Sequence, residues 1–160
     1  MATNADLIAG DLAEIRHELD THFWGTLTVT RAFAPQLADG AILNVLSALS
    51  WFASPGNGAY AAAKAAQWNL TNAVRLELTP QRTQVTGVIV TAVDTDMVAG
   101  RGVPESLLND PVVVVRAALD GLEAGRWEVV VDQLAGMVKQ ALSGDPEAFY
   151  TALRSGPAAG

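Results

Sequence analysis

Three short apolar runs, separated from one another by longer helical patterns, constrain the fold of this chain most strongly. The runs span residues 41–46, 84–90 and 127–131 and are apolar at most positions. Such strands are typical of a parallel sheet with both faces covered, because neither face meets water. The helical patterns span about 11–38, 59–78, 111–123, 135–142 and 146–153. Their alternation with the strands predicts an α/β fold in which helices cover both faces of a parallel sheet.

The first helical pattern has a recognisable start. Asp11 can cap the helix, and Glu14 follows three residues later, as in a capping box. Pro80 closes the second helical pattern, since proline cannot continue a helix. No interior segment has the composition of a linker. We therefore predict one domain over residues 1–154, followed by a loose tail at 155–160.

Composition argues against several classes of function. Half of the residues are hydrophobic and 17% are charged, which indicates buried helices or surfaces that a partner covers. The formal net charge of −7 disfavours nucleic acid as a partner, because phosphates repel an acidic protein. No apolar run approaches the roughly 20 residues of a membrane span, no secretory signal is visible, and cysteine is absent. We therefore predict a cytoplasmic protein without disulfides, thiolate metal sites or contact with a membrane.

Tyr60 and Lys64 form the first candidate site. They stand four residues apart on a predicted helix and therefore share one face. A lysine ammonium favours the phenolate, so it lowers the pKa of a nearby tyrosine and makes it a usable general acid or base. Ser47 lies 13 residues earlier, just past a predicted strand, where ligands of open α/β sheets bind. The pair by itself is also compatible with coincidence in an unrelated α/β domain.

These residues stand in segments that resemble the short-chain dehydrogenase/reductase family. The resemblance rests on Asn44-Val45-Leu46-Ser47 and on the segment 55–66, in which Pro-Gly-Asn-Gly-Ala precedes Tyr60-Ala-Ala-Ala-Lys64. It extends upstream to 25–33 and downstream to 93–97. It implies a partial Rossmann-type three-layer fold. It also implies an oxidoreductase that uses NAD or NADP to interconvert an alcohol and a carbonyl compound by hydride transfer.

The resemblance implies a role for each candidate residue. Tyr60 would donate a proton to the substrate oxygen during reduction or remove it during oxidation. Lys64 would lower the pKa of Tyr60 and hold the nicotinamide ribose, while Ser47 would polarise the carbonyl group. Thr95 would lie near the nicotinamide carboxamide. The implied cofactor-binding residues are Tyr60, Lys64, Thr91, Val93 and Thr95.

Two positions depart from the family pattern. His22 stands where many members have an asparagine that supports a water-mediated proton relay to the lysine. Histidine also donates and accepts hydrogen bonds, so both a relay role and a role in helix packing stay open. Thr91 stands where the family has a glycine that lets the backbone approach the nicotinamide, and its Cβ adds bulk there.

Four other polar residues are given non-catalytic interpretations. We interpret Ser50 as a loop hydroxyl bonded to backbone, because the spacing favours Ser47 as the catalytic serine. His17 is expected at the surface. Asp94 and Asp96 are interpreted as solvated or helix-capping carboxylates, so we predict no metal site.

No glycine-rich strand–helix turn precedes the candidate catalytic residues. The resemblance therefore implies a truncated domain whose N-terminal nucleotide-binding strands are missing. Two functions stay open: an oxidoreductase acting on a small alcohol or carbonyl compound, and a catalytically inactive dimerisation or interaction module. In either case the apolar helices near 11–38 and 59–78 predict a homodimer or homotetramer.

Overall fold

The computed structural model describes residues 2–3 and 5–155, so the predicted tail lies outside it apart from Ser155. The helices are α1 (Leu12–Leu19), α2 (Thr26–Phe33), α3 (Gly58–Glu77), α4 (Pro111–Glu123), α5 (Gln133–Ala141) and α6 (Pro146–Arg154). The strands are β1 (Ala41–Val45), β2 (Gln84–Ile89), β3 (Ala92–Val93), β4 (Leu108–Asn109) and β5 (Glu128–Val130). Across the described ranges, no helix has both the length and the apolar character needed to cross a membrane.

The main sheet is parallel and has helices on both faces, as predicted. Its strand order is β1-β2-β5, and β3 and β4 form a separate parallel pair. Side chains alternate between the faces of a strand. Val85 of β2 packs with Leu70 and Val74 of α3 on one face. On the other face, Val88 packs with Val114 of α4. The central strand β2 is therefore buried along almost its whole length.

The prediction that residues 41–46 are buried on both faces is wrong for β1. Val45 is 55% exposed, whereas Leu46, just beyond the strand, is buried. Within the described residues β1 pairs with β2 alone, so it forms one edge of the sheet. A groove of about 570 Å³ lies beside it and includes Ile42 and Phe33 among its walls. An apolar strand pattern does not report whether a neighbour covers the strand, so this pattern by itself could not indicate the exposure.

The helical pattern predicted at 11–38 is divided by a π-helical turn. Asp11 caps α1 as predicted, because its side chain accepts a hydrogen bond from the Ala13 N–H at 2.8 Å. The turn Asp20–Gly25 separates α1 from α2 and carries His22. π-Helical turns within α-helices occur frequently at functional sites, because they displace a side chain from its regular position.

Candidate active site

Six of the predicted site residues line a single cavity of about 240 Å³. They are His22, Ser47, Tyr60, Lys64, Thr91 and Val93. Ser47 follows β1, and Thr91 follows β2, so the cavity lies beyond the carboxyl ends of two adjacent parallel strands. Tyr60 and Lys64 come from the first two turns of α3. Brought together, these side chains can present a hydroxyl, a phenol and an ammonium group to one ligand.

Ser47 owes its position to a short turn that follows β1. The turn is a 3₁₀ helix over Ala48–Ser50, and the Ser47 side chain caps it by accepting the Leu49 N–H at 3.1 Å. The Ser50 hydroxyl accepts the Ser47 N–H at 3.4 Å. Ser50 is thus bonded to backbone, as predicted. The two serines form a reciprocal cap that holds the Ser47 hydroxyl at the cavity wall, and Ser47 as a whole is 4% exposed.

Tyr60 is protonated over the whole neutral range. Burial is the main reason, because it raises the pKa of Tyr60 from 10.0 to about 12. A hydrogen bond with the Ser47 side chain lowers this pKa, the charge of Glu18 raises it, and Arg101 lowers it. The expectation that Lys64 leaves Tyr60 with a lowered pKa is therefore wrong for this arrangement. Desolvation of the phenolate outweighs the favourable contacts.

Lys64 is a buried ammonium group close to Tyr60. Its Nζ donates to the Val45 carbonyl at 3.1 Å and to Gln67 Oε1 at 2.9 Å. The same atom lies 5.7 Å from the centre of the Tyr60 ring. Burial lowers the pKa of Lys64 from 10.5 to about 8, and the charge of Glu18 opposes this change. Near neutral pH the group is still mainly charged, but its proton is held far less tightly than in water.

His22 faces a buried carboxylate that sequence reasoning missed. Its Nε2 lies 3.3 Å from Glu18 Oε2, and Glu18 is only 1% exposed. The His22 ring meets the Tyr60 ring edge to face, with centroids 5.2 Å apart. Glu18 precedes His22 by four residues, so helical spacing offered a signal. An acidic residue on an amphipathic helix normally faces water, and only the packing shows that this one does not.

Thr91 is held by Asp132, a second residue that the sequence did not single out. Both the N–H and the hydroxyl of Thr91 donate to the Asp132 carboxylate at 2.7 Å. Asp132 also caps α5 by accepting the Ala135 N–H at 2.8 Å. Thr91 consequently takes part in a rigid link between β2 and α5. Its hydroxyl is used in that link, while the residue still lines the cavity.

The loop after β3 contributes less to the cavity than predicted. Thr95 is exposed and lies outside the set of described residues that line the cavity, and its hydroxyl donates to the Val93 carbonyl at 3.2 Å. Asp94 and Asp96 are exposed, as is His17 on α1. Over residues 2–3 and 5–155, no cluster of three or more histidine and acidic side chains has an arrangement suited to a metal ion.

Comparison with known proteins bears on these residues. The sequence profile described as "short chain dehydrogenase" matches residues 2–105. A protein named "Putative oxidoreductase SadH", from Mycobacterium tuberculosis, is 29% identical over 150 residues, which cover 82% of this chain and 54% of that protein. An NADPH-dependent 1-acyldihydroxyacetone phosphate reductase from Schizosaccharomyces pombe is 36% identical over 94 residues, or 58% of this chain and 32% of the reductase. The chain thus spans about half, or less, of the length of these relatives.

Solved structures show the same likeness. A short-chain dehydrogenase from Burkholderia cenocepacia J2315 in complex with NADP superposes with a TM-score of 0.88 at 32% identity, covering 98% of this chain and 66% of that one. A short-chain dehydrogenase from Sphingobium yanoikuyae in complex with NADPH gives a TM-score of 0.75 at 23% identity, covering 99% and 65%. The second likeness is one of fold alone.

Proposed function

The chain belongs to the short-chain dehydrogenase family, and we propose that it supplies the catalytic residues of a cytoplasmic NAD(P)-dependent oxidoreductase. Its reaction is the interconversion of a small alcohol and a carbonyl compound. The observation that carries this proposal is that Ser47, Tyr60 and Lys64 line one cavity beyond the carboxyl ends of β1 and β2. Ligands of open α/β sheets bind at such a position.

Tyr60 acts as the general acid during reduction of the carbonyl compound. Its pKa of about 12 keeps the phenol protonated at neutral pH, which is the form that can donate a proton to a substrate oxygen. Ser47 lies beside it and polarises the carbonyl group by donating a hydrogen bond. Oxidation of an alcohol requires the phenolate instead. We therefore expect reduction to proceed at neutral pH and oxidation to be favoured at alkaline pH.

The residues at the cavity fit the nicotinamide end of a dinucleotide. Lys64 donates to two acceptors within the described chain, and an ammonium group has a third donor that can bind a ribose hydroxyl. The backbone from Thr91 to Val93 runs along the same cavity, where it can contact the carboxamide of the nicotinamide ring. When bound, the nicotinamide supplies or accepts the hydride. A cavity of about 240 Å³ suits this reacting end rather than a whole dinucleotide.

Cofactor binding provides the direct test. NADPH is titrated into the purified chain and then NADH, with fluorescence of the four tryptophans as the signal. NADPH comes first because the Burkholderia cenocepacia structure is a complex with NADP. We expect saturable binding of at least one cofactor and carbonyl reduction that Tyr60→Phe abolishes. If neither cofactor gives a saturable change, the chain by itself is not an oxidoreductase.

A non-catalytic role as a dimerisation module is the second candidate. Large apolar side chains are exposed along α1, the π-helical turn and α2, among them Trp24, Val29 and Phe33, each more than half exposed. A second copy of the chain could cover them, since contiguous apolar patches are uncommon on monomers. Light scattering at tens of micromolar distinguishes the states. A homodimer or homotetramer without cofactor binding would favour this role, and a monodisperse monomer would contradict it.

A further inference from the structure

Glu18 carries a buried carboxylate whose role the proposed reaction does not explain. Its side chain is 1% exposed, and Oε1 accepts a hydrogen bond from the Thr3 N–H. Oε2 lies 3.3 Å from His22 Nε2, which is an ion-pair distance, and no group of the described residues donates a hydrogen bond to it. Burial of a carboxylate is unfavourable unless it is paired. The nearby His22 ring is therefore the main group that offsets the unfavourable burial of Oε2.

The contact influences which ring nitrogen of His22 carries the proton. An unprotonated Nε2 would direct a lone pair at the carboxylate, which is repulsive, whereas a protonated Nε2 is attracted to it. In the neutral ring, this contact therefore favours the tautomer that carries the proton on Nε2.

The His22 ring is in direct contact with the ring of Tyr60. The two rings are nearly perpendicular, at 87°, with centroids 5.2 Å apart. This edge-to-face arrangement is favourable, and it depends on the angle of the His22 ring. A carboxylate that fixes the tautomer and angle of an imidazole is a recurring device in sites where a histidine serves another group. The charge of Glu18 also opposes the burial-induced fall in the pKa of Lys64.

We propose that Glu18 is a positioning residue that holds His22 by its Nε2–H and, through the His22 ring, orients Tyr60. The catalytic meaning of this arrangement rests on the proposed function. The Glu18–His22 contact itself does not, so it can be examined on the chain without cofactor.

The experiment observes the ring N–H of His22 by ¹H–¹⁵N NMR after labelling with ¹⁵N-histidine. The chain has two histidines, and His17→Asn removes the signal of the exposed one. We expect a downfield Nε2–H signal of His22 that is protected from solvent exchange, because a charge-assisted hydrogen bond slows exchange. Glu18→Met removes the acceptor and should abolish the signal. Glu14→Met removes a carboxylate from an exposed position on the same helix and should leave it unchanged.

The outcomes separate this proposal from the proposed function. No protected Nε2–H in the folded wild type, or a signal that Glu18→Met leaves unchanged, overturns the positioning role. If Glu18→Met does not fold, Glu18→Gln takes its place. A shift of the His22 Nε2–H signal in Glu18→Gln relative to the wild type supports the proposal, and an unchanged signal overturns it. A protected signal in a chain that binds neither NADPH nor NADH supports the positioning role and contradicts the proposed function. In an active chain we expect Glu18→Met to lower kcat about tenfold or more at nearly unchanged NADPH affinity.

Discussion

Replacement of Lys64 by methionine should make the stability of the chain less dependent on pH. Methionine keeps the apolar stem and removes the buried charge. Burial lowers the pKa of Lys64 from 10.5 to about 8. At about 1.4 kcal/mol per pKa unit, the charged form is disfavoured in the folded state by roughly 3 kcal/mol. Lys64 is 6% exposed, so solvent screening reduces this value little.

The sign of the effect follows from proton binding. Around pH 8 to 10.5 the unfolded state keeps the lysine proton while the folded state loses it, so stability rises with pH in that window. Between pH 7 and pH 9.5 the wild type should gain about 2 kcal/mol in free energy of unfolding relative to Lys64→Met. The pH range stays below the pKa of about 10 that tyrosine has in the unfolded chain.

Guanidinium unfolding, followed by tryptophan fluorescence at several pH values, measures the difference between the two proteins. Lys139→Met is the matched control, because Lys139 is the only other lysine and its side chain is 45% exposed. Its difference from the wild type should stay nearly constant over the same range. A flat or falling difference for Lys64→Met would refute the reasoning, since it would mean that Lys64 is not desolvated as a cation in the folded chain.

Two further predictions concern packing and the surface. In Gly121→Ala the new Cβ would lie 2.1 Å from Val129 Cγ2, so overpacking by about 1–3 kcal/mol should outweigh the gain in helix propensity. In Gly136→Ala the new Cβ has no atom within 4 Å, so this variant should instead stabilise the chain by about 0.5–1 kcal/mol. Denaturant unfolding measures both variants, and stabilisation by both of them would contradict this account. Arg82→Ala removes an ion pair with Asp39, and the two side chains are 74% and 61% exposed, respectively. The free energy of unfolding should therefore fall by less than about 1 kcal/mol. A larger fall would contradict the expectation that exposed ion pairs contribute little to stability.

The local features of the fold could be predicted because they depend on neighbours in the chain. The start of α1 at Asp11 and the span of α4 follow from cap residues and apolar spacing, which act over a few residues. The exposure of Val45 could not be predicted from the apolar pattern of its strand, since an apolar strand has the same pattern in the middle of a sheet and at its edge. The π-helical turn at Asp20–Gly25 is a rare state that regular helical spacing does not indicate.

The candidate site likewise has some features that the sequence predicts and others that depend on the tertiary structure. The spacing of Ser47, Tyr60 and Lys64 is a property of the sequence, and their meeting at one cavity follows from the parallel topology. The pKa of Tyr60 does not follow from spacing. Proximity of Lys64 favours a lower value, yet burial raises it to about 12, because desolvation depends on every atom around the phenol.

By itself, the sequence determined the family, the alternation of helices and strands, and the residue types available for proton transfer, because each of these is encoded in short-range patterns. Only the tertiary structure decided which polar groups are removed from water. It buried Glu18 against His22, and it turned the hydroxyl of Thr91 toward Asp132. The physical reason is that the energy of a charge or a hydroxyl depends on solvent and partners from distant segments, which no local pattern records.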